Sequence, residues 1–108
     1  MKLRLDKKTV RIRLSKEEIL SLQSDGFLEE KISLSEDNFF SYVIDVLEDI
    51  DECGLYFSED GLRVEIPFKI SEMWINSNQV GIRKTFETDD DETITLYVEE
   101  DLPPRRNK

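Results

Sequence analysis

Apolar and basic residues alternate strictly at the start of the chain, first in Lys2-Leu3-Arg4-Leu5 and again in Val10-Arg11-Ile12-Arg13-Leu14. A period of two is that of a strand with one buried and one wet face, and Asp6-Lys7-Lys8 between the runs suits a hairpin turn. Ser15 then stands as a helix N-cap, with Glu18 at the reciprocal capping position. The pattern predicts a helix over 16–24 that buries Ile19, Leu20 and Leu22 and stops at Asp25-Gly26. Strands are predicted over 27–34 and 39–47, on either side of the turn Ser35-Glu36-Asp37-Asn38. Phe39, Val43, Val46, Leu47 and Ile50 also fit a helix with Ser35 or Asp37 as its cap. Their β-branched and aromatic density, in a short run between turn signals, favours the strand. Strands over 54–58 and 62–68 flank the hairpin signal Glu59-Asp60-Gly61, and Pro67 marks the end of the second. A short helix over 70–77 offers Ile70, Met73 and Trp74 to the core. A last hairpin joins 80–87 to 92–100 across an acidic turn.

In order, these elements give an α+β fold: a mainly antiparallel sheet of about eight strands, curled or barrel-like, with two short helices. The order strand, helix, three strands recurs if the strand at 2–5 supplies the missing partner, and Arg11-Ile12-Arg13-Leu14 lines up with Arg63-Val64-Glu65-Ile66. At 108 residues the chain is the size of one domain, expected over 1–102, with Pro103-Pro104 ending the fold and 103–108 forming a basic tail. Cys53 is the single cysteine, so an internal disulfide is excluded, and a reducing, cytoplasmic location is the simplest expectation. The apolar runs are too short for a signal peptide or a membrane span, so no membrane partner is expected.

Charge changes the picture. The formal net charge is −10, but residues 1–16 carry seven basic groups and one acid, whereas residues 17–62 carry one basic group and fourteen acids. A second acidic block lies within 85–102. A field of this sign repels DNA and RNA, so nucleic acid is not expected as a partner. The alternating cations Lys2, Arg4, Arg11 and Arg13, joined by Arg63 and Arg83, form the one candidate site, an anion-binding face for a small phosphorylated ligand. As the plain wet face of an antiparallel sheet, the same cations would instead pair with Glu29, Glu30 and Glu65 on neighbouring strands.

The opening resembles a family of small bacterial proteins of unknown function, whose members begin with a basic strand, a turn and an R-x-R-L strand leading into a capped helix. The matching residues are Lys2, Arg4, Val10, Arg11, Arg13, Leu14 and Glu18, followed by Glu59-Asp60-Gly61, Val64–Pro67, Trp74, Val80-Gly81 and Leu96-x-Val98-Glu99. The doubled strand and helix order also resembles the CYTH-type triphosphate tunnel, in which eight antiparallel strands enclose a channel lined with charged side chains. That resemblance implies triphosphate contact through basic residues and metal held by carboxylates. Arg11-x-Arg13 stands where the usual opening is E-x-E-x-K, which suits phosphate contact but not metal ligation there.

Other chemistry is thin. Histidine is absent, which removes imidazole acid–base catalysis and histidine metal sites. Asp89-Asp90-Asp91-Glu92 lacks the spacing of a calcium loop and reads as a solvated hairpin tip, as does Glu48–Glu52. Cys53 among acids is expected to be a poor nucleophile. Gly26, Gly54, Gly61 and Gly81 are isolated, so no phosphate-cradling loop is present, and Trp74 and the six phenylalanines read as core. No catalytic residue, metal or cofactor is assigned. The expectation is a non-enzymatic binding or accessory domain, with a phosphate-ester or nucleotide-binding protein, or a degenerate triphosphate hydrolase, as the alternative. Edge strands offer a route to homodimerisation.

Overall fold

The computed structural model describes residues 1–77 and 79–102. Its elements are β1 (Lys2–Leu5), β2 (Thr9–Leu14), α1 (Lys16–Asp25), β3 (Phe27–Ser35), β4 (Asn38–Leu47), β5 (Gly54–Ser58), β6 (Gly61–Pro67), α2 (Phe68–Ile75), β7 (Gly81–Glu87) and β8 (Thr93–Glu100). The expected basic tail 103–108 lies outside the described residues.

Local chemistry accounts for both helices. The Ser15 hydroxyl accepts from the Glu18 backbone N–H at 3.2 Å while the Ser15 N–H donates to Glu18 Oε1 at 2.9 Å, which completes the capping box of α1. Gly26 closes α1 at φ 70°, and its N–H donates to the Leu22 carbonyl at 2.8 Å. Helix α2 begins two residues earlier than predicted. Pro67 takes its N-cap position at φ −59°, a value the ring imposes and which leads the chain directly into helix. Leu22 and Trp74 are the buried anchors of the two helices. Leu20 and Met73, both assigned to the core from sequence, are exposed, because a helix this short turns only a narrow stripe inward. The buried Ser71 satisfies its hydroxyl by donating to the Phe68 carbonyl at 3.0 Å.

The eight strands form two four-stranded sheets rather than one, in the orders β1-β2-β8-β7 and β3-β4-β6-β5. Each is mixed. Its outer pairs are antiparallel and its central pair, β2 with β8 or β4 with β6, is parallel. Both sheets bury one face in a common hydrophobic cluster. Val10, Ile12, Leu14, Leu96 and Val98 come from the first sheet and Tyr42, Ile44, Leu62, Val64 and Ile66 from the second. The run 39–47 is strand, as its β-branched density suggested. Trp74 lies in the core, but Phe27, Phe57 and Phe68 are exposed.

The topology is an internal repeat of hairpin, helix, hairpin: β1-β2-α1-β3-β4, then β5-β6-α2-β7-β8. Each sheet takes the first hairpin of one half and the second hairpin of the other. The halves match in detail. Ile12 stands opposite Val98 in one parallel ladder as Val64 stands opposite Ile44 in the other. The backbone bond from Thr95 N–H to the Lys8 carbonyl corresponds to that from Ser41 N–H to the Asp60 carbonyl. The repeat unit is therefore two strands, a helix and two strands, not the strand, helix and three strands read from the sequence.

Two corners tie the sheets together. At one, the Met1 amine meets Glu18 and, at 3.3 Å, Glu30, while the Tyr42 hydroxyl donates to the Met1 carbonyl at 2.9 Å. Burial pushes the Glu18 carboxyl up, but the hydrogen bonds from the Met1 amine and from the Ser15 N–H outweigh it and leave the group below its ordinary value. Burial likewise pushes the amine down, and the hydrogen bonds to Glu18 and Glu30 carry it above its ordinary value. At the other corner, Lys84 Nζ lies 3.3 Å from Glu52. No helix is long and apolar enough to cross a membrane among the described residues.

Candidate functional site

Strand alternation decides where the cations go. On β2, Val10, Ile12 and Leu14 point into the core, so Arg11 and Arg13 stand on the outer face of the first sheet. The ladder registers bring their neighbours beside them. One cross-strand row reads Arg4, Arg11, Tyr97, Arg83, and the row towards the helices reads Lys2, Arg13, Glu99, Gly81. On the other side lies a row of Asp6, Thr9, Thr95 and Thr85, in which the Thr85 and Thr95 hydroxyls are 3.2 Å apart. Five of the six predicted residues, Lys2, Arg4, Arg11, Arg13 and Arg83, therefore share one surface.

Arg63 does not join them. It stands on the outer face of the second sheet, paired with Asp45, with Glu65 beside it. The expected partners Glu29, Glu30 and Glu65 also belong to the second sheet, β3 or β6, and do not meet the basic face. The carboxylates that do are Glu99, Asp101 and Asp6, the last in a groove with Arg4 and Arg11. Arg11 Nη1 lies 3.3 Å and Arg13 Nε 3.5 Å from one oxygen of Glu99, and Lys2 Nζ lies 2.8 Å from Asp101. The Lys2 hydrogen bond holds the Asp101 carboxyl below its ordinary range. Arg4 and Arg83 are exposed and have no carboxylate within 4.0 Å among the described residues.

Tyr97 organises the centre and was not singled out from sequence. Its position was legible, because Leu96 and Val98 point inward and place Tyr97 and Glu99 on the wet face. The Arg11 guanidinium stacks on its ring at 4.4 Å from the centroid, and Arg83, directly opposite on β7, lies at 5.9 Å. Arg11 is thus held twice, by an aromatic face and by Glu99, and side-chain entropy is already lost before any ligand arrives. Two open grooves of about 220 and 190 Å³ run along β1 and β2. Arg4 and Arg11 line both, with Asp6 and Thr9 in one and Lys2 and Arg13 in the other.

Elsewhere the structure offers less. A cavity of about 420 Å³ lies between the end of α1 and α2, lined by Leu22, Val46, Phe68 and Ile75 and by Asp25, Glu48 and Glu72. Among the described residues no group of three or more His, Cys, Asp or Glu is placed to hold a metal ion. The acidic tip 89–92 is organised by the Thr88 hydroxyl, which accepts from the Asp90 N–H at 3.4 Å and the Glu92 N–H at 3.2 Å. Cys53 is buried, and burial chiefly, with Glu52 adding and Lys84 opposing, pushes its thiol up.

Neither the curated proteins nor the solved structures contain a match to this chain. One family model covers residues 1–104, almost its whole length. The chain belongs to that family, a family of unknown function (DUF7009).

Proposed function

We propose that the chain is a non-enzymatic binding module that takes an anionic ligand on the outer face of the sheet β1-β2-β8-β7. The observation that carries this reading is the row Arg4, Arg11, Tyr97, Arg83, in which the central arginine is pre-oriented and the two outer ones have no carboxylate within 4.0 Å among the described residues. The face holds five cations, with Glu99 and Asp101 paired to three of them and Asp6 and Glu87 at the threonine end, so Arg4 and Arg83 keep their charge unpaired by any carboxylate within 4.0 Å among the described residues. Because charges further apart than about 8 Å are largely screened at physiological salt, the face acts locally against the opposite sign of the whole molecule.

The doubled topology keeps the resemblance to the triphosphate tunnel open only at the level of an internal repeat, because the central strand pairs are parallel and the sheets are two. The side chains favour an external ligand all the same. The space between the sheets is filled by Ile12, Leu14, Ile44, Val64, Ile66, Leu96 and Val98, all fully buried, while Arg11, Arg13, Arg63 and Glu65 lie on two separate outer faces.

A thermal-shift panel of tripolyphosphate, ATP, citrate and a hexaglutamate peptide tests the reading on wild type and on Arg4→Ala/Arg83→Ala. The expected result is saturable, salt-sensitive stabilisation by at least one anion, lost in the double variant. At 100 times its dissociation constant a ligand stabilises by about 2.7 kcal/mol, which is several degrees for a domain of this size. No shift with any anion, or one the double variant leaves unchanged, overturns it.

A further inference from the structure

We infer that the ligand of this face is an extended acidic peptide segment laid across the strands, an inference that rests on the reading of the face as an anion site. Its layout comes first. The cations do not converge on a point. Neighbouring strands lie about 4.8 Å apart, so the backbones carrying Arg4 and Arg83, three strands apart in the sheet, are separated by about 14 Å. A compact phosphate would engage both ends of such a row only if both outer arginines bent inward along it. An extended peptide advances about 3.3 Å per residue, so four or five residues span it, and alternate side chains on one side of that peptide recur about every 7 Å. Arginine forks at the ends of the row match carboxylates as paired hydrogen bonds.

The surroundings of the row point the same way. Thr9, Thr95 and Thr85 form a parallel row of hydroxyls, each able to donate and accept. A peptide backbone has both amide donors and carbonyl acceptors to meet them, whereas a polyphosphate or a phosphodiester chain brings acceptors from its backbone alone. Tyr97, the one aromatic ring of the face, has Arg11 stacked on it and Arg83 on the opposite neighbouring strand. Arg11 covers one face of that ring, so this surface lacks the series of open aromatic platforms on which successive bases of single-stranded nucleic acid stack.

Fluorescence anisotropy separates the possibilities. The probes are labelled hexaglutamate, labelled hexaglutamine and a labelled twelve-nucleotide thymidine strand, with tripolyphosphate as competitor. Wild type is compared with Arg4→Ala/Arg83→Ala, whose side chains are exposed and make no ion pair among the described residues, so the melting temperature should stay unchanged. Hexaglutamate is expected to bind saturably, to weaken as salt rises, and to lose about tenfold or more in affinity in the double variant, while hexaglutamine does not bind. Tripolyphosphate binding without hexaglutamate binding would overturn the peptide assignment and leave the anion site standing. A thymidine strand that binds more tightly than hexaglutamate would do the same in favour of nucleic acid. Should no anionic probe bind, both the peptide and the anion site fall.

Discussion

The outer faces of the two sheets start from the same plan and end with opposite character. Each carries an arginine on the inner strand of the hairpin that opens one half of the repeat and a carboxylate two residues along the parallel neighbour: Arg11 with Glu99 in one sheet, Arg63 with Asp45 in the other. Around that shared pair the equivalent positions diverge. Arg4 corresponds to Tyr56, Arg13 to Glu65, Arg83 to Glu29 and Tyr97 to Val43. The second face is internally settled, with Glu29 accepting from the Ser41 hydroxyl at 3.0 Å and Lys31 stacked on Phe39 at 4.2 Å. The buried faces, by contrast, stay apolar in both halves. The repeated fold therefore explains the arginine–carboxylate pair, and it does not explain the extra cations of the first face. Those are the residues that a function must account for.

The largest effect should come from the place where the second sheet is joined. Gly61 opens β6 opposite Ser41 at φ 152°, and a Cβ there would overlap the Ser41 carbonyl oxygen. Gly61→Ala is expected to destabilise by about 3 kcal/mol or more in urea unfolding, whereas Thr9→Ala at the corresponding position of the first sheet should cost less than about 1 kcal/mol. Equal costs would show that the two junctions are built alike.

Reversing the divergence tests function rather than folding. Arg83→Glu gives the first sheet the charge found at Glu29 in the second, and should weaken hexaglutamate binding by about tenfold or more while changing stability by less than about 0.5 kcal/mol. Arg63→Ala should leave binding alone, and its half-exposed ion pair limits the stability cost to about 1 kcal/mol. Binding lost on Arg63→Ala would move the site to the other face.

Smaller effects separate the two corners. The Glu18 carboxyl is lowered from its ordinary 4.5 by its partners, so its stabilisation is present above that value and is lost as pH falls through the lowered folded value. Glu18→Gln keeps an acceptor for the Ser15 N–H but removes the charge. It should cost under about 1 kcal/mol at neutral pH and flatten the acid limb of the stability profile. An unchanged acid limb would remove Glu18 from the account. At the other corner the buried, raised Cys53 thiol should react with a thiol reagent only at the rate of unfolding, and fast labelling of the native protein would contradict its burial.

What could be read from the chain, and what could not, follows from how far each signal reaches. The capping box of Ser15 and Glu18, the alternation in β2 and the hairpin at Glu59-Asp60 are local patterns, and they placed their elements within a residue or two. The parallel ladder that sets Val10 against Leu96 joins strands from opposite ends of the chain, and no local pattern records it. That one fact governed the candidate site. Period-two alternation says that Arg11, Arg63 and Arg83 all face outward, but only the ladder order assigns Arg83 to the sheet of Arg11 and Arg63 to the other. The same ladder supplies Glu99 and Tyr97 as neighbours of Arg11.

Amide chemical-shift mapping in solution tests the central claim most directly. Labelled protein would be titrated with hexaglutamate and, separately, with tripolyphosphate. The account predicts saturable shifts, with at least one of them, at Arg4, Thr9, Arg11, Arg83, Thr95 and Tyr97, and none at Glu29, Val43 or Arg63. Shifts centred on the second sheet, or no shifts with either anion, would contradict it.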